Sequence, residues 1–304
     1  MITLERLTKR YGEHTAVDGL DVTIEAGTVT GFLGPNGAGK STTMRMILGL
    51  DRPTSGRALI DGRPYAELRR PLREVGALLD AGAVHPGRPA RAHLRAMART
   101  HDIPLRRVDE VLDLVGLTEV AHRRAGSFSL GMSQRLGVAA ALLGDPRALV
   151  LDEPVNGLDP DGVRWIRELI RSLAARGRAV FVSSHLMSEM QVTADRLVVV
   201  GRGRLIADAP VAELIGAAST TGVVVRTPDP AGLAVLAERL RRAGARVSAG
   251  DTADALAVLG VSTDEVGRVA YDAGVVLAEL SSRRASLEEA YLELTAGAVE
   301  YAAG

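Results

Sequence analysis

GPNGAGKST, at residues 34–42, directly follows the apolar run VTGFL. The stretch matches the pattern G-x-x-x-x-G-K-[ST], with the fixed positions at Gly34, Gly39, Lys40 and Ser41. Its glycines let backbone N–H groups converge on phosphate oxygens, and the N-terminus of the helix predicted after it adds a positive dipole end. A glycine-rich turn without a ligand is the competing interpretation. Because the stretch lies between a predicted strand and a predicted helix, we expect a nucleoside triphosphate.

The side chains of this loop have separate predicted roles. Lys40 is expected to reach the β- and γ-phosphates, and the hydroxyl of Ser41 is expected to ligate Mg²⁺. Lysine occurs elsewhere only at Lys9, although the chain has 37 basic residues, so the lysine at this position strengthens the match to the motif. The remaining predicted nucleotide contacts are Asn36, Gly37, Gly39 and Thr42.

Composition restricts the classes of protein to consider. The chain has 304 residues, of which 46% are hydrophobic and 24% charged, enough for two ordinary globular domains. Its 37 acidic residues balance its 37 basic ones, so we expect no nucleic-acid partner. There is no cysteine, no signal peptide pattern and no apolar stretch of about 18 to 20 residues, which predicts a cytoplasmic protein.

The order of the apolar runs predicts an α/β domain over residues 1–215. Between about residue 29 and residue 215, helical patterns alternate with strand candidates, which favours a largely parallel, buried sheet. The candidates are VTGFLG, RALIDG, EVGALLD, RALVLDEP, AVFVSSH and DRLVVVGRGRLIAD. Residues 1–27 are expected to form a small antiparallel start, with two short strands around a GEHTAVDG turn.

A second domain is predicted after a linker. The small and hydroxyl-rich residues 216–222, GAASTTG, are typical of a joint between domains. Residues 223–304 then follow a β-α-β-β-α-β order, which predicts a small ferredoxin-like α+β domain. A final helix is expected to begin with a capping box of Ser286 and Glu289. We find no clustered site residues here and expect a regulatory or dimer-stabilising role.

Two acidic residues follow the predicted strand in LVLDE, residues 149–153. Asp152 is placed to hold Mg²⁺ through a water, and Glu153 to act as general base for the attacking water. The alternative is that the two acids merely end a strand in solvent. That alternative is weaker because the acids follow four apolar residues in a chain that also has a phosphate-binding loop. The phosphate-binding loop by itself leaves open a GTPase, a small-molecule kinase and a transport ATPase.

Further motifs in the same order resemble one family, the nucleotide-binding subunits of ABC transporters. FSLGMSQR at residues 128–135 resembles the family's signature sequence, and NGLD at residues 156–159 resembles its D-loop. His185 ends a predicted strand where the family has its switch histidine, and Tyr11 stands where the family stacks an aromatic ring on adenine. The resemblance covers roughly residues 1–215 and implies an ABC-type P-loop fold with an antiparallel β start and a helical insertion.

The resemblance implies a mechanism that uses ATP and Mg²⁺. Ser129 and the N–H of Gly131 begin a helix, and they would contact the γ-phosphate of ATP held by a second copy of the chain. The family forms a head-to-tail homodimer in this way, and Asp159 would cross its interface. His185 would contact the γ-phosphate and hold the attacking water in line, while Lys40 with Mg²⁺ would absorb the developing charge.

The same resemblance implies a membrane permease as partner, with this chain peripheral at the inner face of the membrane. The C-terminal part resembles the accessory domain of drug and antibiotic exporter ATPases, which favours export; the cargo is not encoded here. A soluble ABC ATPase acting on DNA or ribosomes is the alternative, but such proteins usually have two modules or a long coiled coil. This chain has one module, and about 90 residues separate its loop from its signature. A regulator without turnover would be expected to lose Glu153 or His185.

Three positions depart from the family pattern. Leu130 and Met132 stand where glycine and glutamine are common in the signature, while the expected phosphate contacts are kept. The glutamine of the family's Q-loop would fall at the end of EVGALLD, where this chain has Asp80. An aspartate can ligate Mg²⁺, with an added negative charge and a shorter reach. We therefore include Asp80 among the predicted metal ligands.

Overall fold

The computed structural model describes residues 1–217, 222–250, 252–283 and 287–295. It contains two compact units, Met1–Val211 together with Leu294 and Thr295, and Ala212–Glu293. In chain order the first unit comprises β1 (Ile2–Tyr11), β2 (His14–Ile24), β3 (Val29–Leu33), α1 (Lys40–Ile47), β4 (Ser55–Ile60), α2 (Pro71–Glu74), β5 (Val75–Leu78), α3 (Ala90–Thr100), α4 (Arg106–Leu114), α5 (Leu130–Leu142), β6 (Ala148–Leu151), α6 (Pro160–Ala175), β7 (Ala179–Ser183), α7 (Met187–Thr193), β8 (Arg196–Gly201) and β9 (Arg204–Pro210).

The central sheet of the first unit has the strand order β5-β6-β7-β3-β8-β9. Its strands pair in parallel from β5 through to β8, and only β9 is antiparallel. Every residue of β3, β6 and β7 is buried, as expected for parallel strands covered on both faces. The order places the ends of β3, β6 and β7 side by side, and ligands of open parallel sheets bind at such carboxyl ends. The predicted α/β fold class is confirmed.

A second sheet carries the N-terminal residues, with the antiparallel order β2-β1-β4. Two details of the prediction were wrong. β1 and β2 are long, at ten and eleven residues, and only Gly12 and Glu13 separate them, so most of GEHTAVDG is strand. RALIDG was assigned to the parallel sheet, but its β4 pairs with β1, with Ile60 opposite Ile2. Apolar alternation indicates a strand without indicating its partner, which depends on contacts distant in sequence.

The helical insertion between β5 and β6 consists of α3, α4 and α5, which pack on one another. Its core is aliphatic, with Leu94 of α3 and Val111 and Leu112 of α4 all fully buried. Each of these helices has at most 13 residues, so none forms a long coiled coil. Within the described residues, no helix is long and apolar enough to cross a membrane.

The elements that follow β9 are α8 (Val211–Ala217), β10 (Gly222–Arg226), α9 (Pro230–Arg242), β11 (Arg246–Ala249), β12 (Ala255–Leu259), α10 (Thr263–Asp272), β13 (Glu279–Arg283) and α11 (Leu287–Thr295). They make up the second unit, except for the first residue of α8 and the last two residues of α11. Its sheet is antiparallel in the order β11-β12-β10-β13, which is that of a ferredoxin-like domain. Its core is aliphatic, with Val225 and Val258 of the sheet packed with Leu236 and Val266 of the helices.

The predicted linker and the predicted capping box both lie partly outside the described residues. The predicted linker begins inside a helix, because α8 continues through Gly216 and Ala217; residues 218–221 lie outside the described residues. The predicted capping box also falls outside them, at Ser286. A capping box is instead present at the start of α10, where the side chain of Ser262 accepts from the N–H of Glu265 and the carboxylate of Glu265 accepts from the N–H of Ser262.

Candidate functional site

The phosphate-binding loop lies between β3 and α1 and is shaped by its glycines. Gly39 has φ +95°, and a Cβ there would lie 2.3 Å from the carbonyl oxygen of Ala16. Gly37 also has a positive φ, +82°, but open space around it. A residue with a side chain fits poorly at Gly39 for two reasons. Left-handed backbone is unfavourable for L-residues, and the Cβ would lie too close to the Ala16 carbonyl oxygen.

Lys40 is folded back on the loop that precedes it. Its ammonium donates to the carbonyl oxygens of Gly34 at 2.7 Å and Pro35 at 3.2 Å, and the residue is 9% exposed. Burial lowers the pKa of Lys40, while the negative charges of Glu153 and Asp152 oppose that shift. The ammonium is therefore held at the loop in a partly desolvated state, where an anionic ligand would stabilise its charged form.

Asp152, just after β6, is held by two hydroxyl groups. Ser41 Oγ donates to Asp152 Oδ2 at 2.7 Å, and Ser183 Oγ donates to Asp152 Oδ1. A hydroxyl and a carboxylate oxygen thus lie together beside the loop. Mg²⁺ in phosphate sites takes one or two protein oxygens and completes its shell with phosphate oxygens and water, so this pair fits that ion. Among the described residues, no group of three or more aspartates, glutamates or histidines is placed to hold a metal ion.

Glu153 follows in a left-handed backbone conformation, with φ +48°. Its N–H donates to Ser183 Oγ at 2.9 Å, and its Oε2 lies 2.8 Å from Nδ1 of His185. The side chain of Glu153 is 24% exposed and that of His185 is 55% exposed, so both are reachable by water. A carboxylate hydrogen-bonded to a histidine beside a phosphate-binding loop is an arrangement suited to accepting a proton from water.

Most of these groups line one cleft of about 440 Å³, whereas Ser183 and the predicted His185, which contacts Glu153, are not part of its lining. Its lining includes nine of the predicted site residues, namely Tyr11, Asn36, Gly37, Gly39, Lys40, Ser41, Thr42, Asp152 and Glu153, together with His14, Ala16 and Leu79, which were not predicted. At its edge, the Tyr11 hydroxyl donates to Asp51 Oδ2 at 3.1 Å, and the Lys9 ammonium lies 4.9 Å from the Tyr11 ring centroid. An accessible aromatic ring, a cationic loop and paired oxygens fit a base, a polyphosphate and a divalent ion respectively.

Three predicted residues do not line this cleft and instead organise helix starts. Ser129 caps α5, its Oγ accepting from the N–H of Met132 at 3.2 Å. Asp159 caps α6, its Oδ1 accepting from the N–H of Gly162 at 2.8 Å. Gly131 lies in the first turn of α5, where a Cβ would be 3.2 Å from the carbonyl oxygen of Gly157. Within this copy of the chain they therefore contribute nothing to the cleft lining.

Asp80 also lies outside the cleft lining. Its Oδ1 accepts from the N–H of Gly82 at 2.7 Å, which forms a tight turn just after β5, and the residue is exposed. Leu79, the residue before it, lines the cleft instead. The role of Asp80 as a metal ligand stays a prediction.

Two buried polar residues of the site were not predicted. Ser183, at the end of β7, is fully buried and joins Asp152 to the N–H of Glu153. Gln134, on α5, is 5% exposed and donates from Nε2 to the carbonyl oxygen of Glu153 at 2.9 Å. A polar residue ending a strand otherwise made of apolar residues was an available signal for Ser183, whereas the contact of Gln134 depends on how α5 packs.

Comparison with known proteins agrees with this geometry. The sequence model of the family described as "ABC transporter" matches residues 17–156. The bacitracin transport ATP-binding protein BcrA of Bacillus licheniformis is 43% identical over 207 residues, which are 67% of this chain and 68% of that protein. The chain belongs to the ABC transporter ATP-binding proteins. The daunorubicin resistance ATP-binding protein DrrA3 of Streptomyces coeruleorubidus is 34% identical over 97% of this chain and 95% of its own.

A solved ATP-binding subunit of an ABC transporter shares the fold, with a TM-score of 0.65, at 24% identity over 70% of this chain and 91% of that one. The C-terminal residues 221–288 match a separate family, a domain of unknown function, DUF8746. The family assignment makes the protein an ATP-binding ATPase, as the sequence predicted.

Proposed function

We propose that the chain is the ATP-hydrolysing subunit of an ABC transporter and that its cleft binds ATP with Mg²⁺. The observation that carries the proposal is the convergence of Lys40, Ser41, Asp152 and Glu153 on one cleft at the carboxyl edge of the parallel sheet. Lys40 and the loop amides bind the phosphates, and the Tyr11 ring stacks on the base. Ser41 and Asp152 hold the metal ion, which when bound neutralises negative charge on the phosphates.

In the hydrolytic step, Glu153 orients the attacking water and accepts its proton. Its carboxylate is already fixed by the 2.8 Å contact with Nδ1 of His185. His185 keeps that carboxylate in place and contacts the γ-phosphate, while the ammonium of Lys40 offsets the charge that develops on the leaving group. Water adds to the γ-phosphorus, the bond to the β-phosphate oxygen breaks, and the products are ADP and inorganic phosphate.

Two copies of the chain are proposed to enclose two ATP molecules. The support is that Ser129 and Gly131, at the N-terminus of α5, present a helix start suited to phosphate but do not line the cleft of their own copy. A second copy, placed head to tail, brings this helix start to the γ-phosphate. Asp159, which begins α6 shortly after Glu153, lies at that interface in the proposed dimer.

Coupling to a membrane permease, and export as the direction, are also proposals. Relatives are named for bacitracin transport, lantibiotic transport and daunorubicin resistance. The daunorubicin resistance protein matches nearly the whole chain, C-terminal part included. We propose that the chain acts at the cytoplasmic face of the membrane through its permease, and that residues 1–215 form the ATPase, 216–222 the linker and 223–304 an accessory domain.

The test is the magnesium-dependent ATPase activity of the purified chain. Wild type is expected to release phosphate only with Mg²⁺, and Glu153→Gln, which keeps the shape but not the basicity, is expected to be at least about 100-fold slower while still binding ATP. A Glu153→Gln protein that hydrolyses ATP at the wild-type rate eliminates Glu153 as base. Co-purification with ribosomes or DNA, in place of a membrane protein, refutes the transport role.

A further inference from the structure

The backbone of Glu153 is held by contacts from three different places in the chain. Its N–H donates to Ser183 Oγ at 2.9 Å, and its carbonyl oxygen accepts from the N–H of Asn156 at 3.2 Å. The same carbonyl oxygen accepts from Nε2 of Gln134 at 2.9 Å. A φ of +48° is unfavourable for a residue with a Cβ, so these contacts keep Glu153 in a conformation that it would not adopt by preference.

Gln134 differs from Ser183 and Asn156 in its position. It lies on α5, one turn beyond the helix start formed by Ser129 and Gly131, and only 5% of it is exposed. Its amide therefore reaches across from the helical insertion to the loop after β6. Since the carbonyl oxygen and the amide lie in a poorly hydrated place, losing the contact leaves a polar group without full compensation.

We propose that Gln134 is a positioning residue for the hydrolytic reaction. By holding the Glu153 carbonyl it fixes the left-handed backbone, and that backbone directs the Glu153 carboxylate to its place beside His185. Gln134 does not touch ATP or the water. The inference rests on the proposed function, because it takes Glu153 as the base.

Because Gln134 lies on α5, its positioning role links Glu153 to the proposed dimer interface. The helix start that meets the partner copy's ATP and the amide that holds the base belong to the same helix, one turn apart. A displacement of α5 when phosphate engages Ser129 and Gly131 is therefore transmitted to the Glu153 backbone. Occupation of one ATP site thereby adjusts the base of the other.

The first experiment replaces the amide with an apolar side chain of similar length, Gln134→Met. We expect kcat for ATP hydrolysis to fall about tenfold, because one buried hydrogen bond to the base is lost. KM for ATP and the affinity for ATP are expected to stay within about twofold of wild type, since the phosphate contacts are untouched. The melting temperature and the circular dichroism spectrum show whether the variant is folded as wild type is.

A second variant, Gln134→Glu, tests the hydrogen bond itself. An ionised carboxylate only accepts and repels the Glu153 carbonyl, whereas a protonated carboxyl group donates to it. The ratio of the variant's kcat to that of wild type is therefore expected to rise as the pH falls. A side chain that merely fills space gives a ratio that does not depend on pH.

The control is Gln191→Ala, which removes the other glutamine of the sequence, an exposed residue on α7; its kcat is expected to match wild type. The proposal is overturned if Gln134→Met keeps the wild-type kcat, or if kcat falls only in proportion to the folded fraction. Failure of the proposed function is distinguishable, because in that case Glu153→Gln itself hydrolyses ATP normally.

Discussion

At the level of single residues, the site depends on charged groups that are held by contacts within the chain. Lys40 is buried against two loop carbonyls, while Asp152 and Glu153 are fixed by Ser183 and His185. Such placement matters because oriented groups need little reorganisation during a reaction. The geometry that the proposed chemistry needs is therefore largely present in one copy of the chain.

The lowered pKa of Lys40 predicts how ATP affinity depends on pH. In the free protein burial favours the neutral amine, whereas bound phosphates favour the ammonium, so binding takes up a proton at alkaline pH. Affinity is expected to fall as the pH rises through the lowered pKa of Lys40. Burial, and then the neighbouring Asp51, raise the pKa of the Tyr11 hydroxyl, which shifts its ionisation to higher pH. Calorimetric titration with ATP across the alkaline range measures the effect.

Lys9→Arg is the matched control for that titration, because Lys9 is the only other lysine. The alkaline decrease in affinity is expected to persist in this variant, since an arginine there does not titrate in the range. An affinity that stays constant with pH, or a decrease that disappears in Lys9→Arg, contradicts the assignment to Lys40.

Asp80 provides a prediction about coupling. Its carboxylate is engaged by the Gly82 N–H and lies outside the cleft lining, so its removal is expected to change ATP binding by less than about threefold. In a complex reconstituted with the permease, Asp80→Ala is expected to lower the transport-coupled ATPase rate more than it lowers ATP affinity. Unchanged coupled turnover refutes this role.

The sequence predicted cleft-lining residues that lie in one loop or directly after an apolar strand, and it missed residues whose contacts depend on packing. Lys40 and Ser41 follow from fixed spacing within one loop, and Asp152 and Glu153 from their place after an apolar strand. Ser183 and Gln134 act through contacts 30 and 19 residues away along the chain, with Glu153 as their common partner. No local pattern records such a contact, because it forms only when β6, β7 and α5 pack together.

At the level of elements, the parallel sheet determines where the chemistry occurs. The loop after β3 and the residues after β6 and β7 meet because these strands are neighbours in the sheet. That order was not predicted from the sequence, although the strands themselves were. The same limit explains β4, whose sequence indicates a strand but whose partner is β1 in the antiparallel sheet.

The loop that leads into α1 contains Gly37 and Gly39, and we expect their replacement by alanine to have different effects. At position 37 an alanine has open space but must adopt an unfavourable positive φ, so Gly37→Ala is expected to lower the free energy of unfolding by about 1 kcal/mol. Gly39→Ala meets the same strain and places its Cβ against the carbonyl oxygen of Ala16, so it is expected to cost more and to weaken ATP binding as well. Urea unfolding of both variants measures the difference. Equal losses contradict the close approach of Ala16 to the loop.

At the level of the whole molecule, the cleft of one copy supplies only part of the proposed catalytic site. It contains the phosphate-binding loop, the metal-binding oxygens and the base, while the α5 helix start with Ser129 and Gly131 lies outside its lining. In the proposed dimer, pairing of two copies completes both sites at once. ATP binding is therefore expected to drive association, and hydrolysis to reverse it, which supplies motion to a permease.

The most direct test of this account is the mass of the Glu153→Gln protein in solution, measured by sedimentation velocity with and without ATP and Mg²⁺. Because this variant binds ATP but does not cleave it, the account predicts a monomer without nucleotide and a stable dimer with it. Ser129→Ala in the same background is expected to weaken that dimer. A Glu153→Gln protein that binds ATP and remains a monomer at every concentration tested contradicts the central claim.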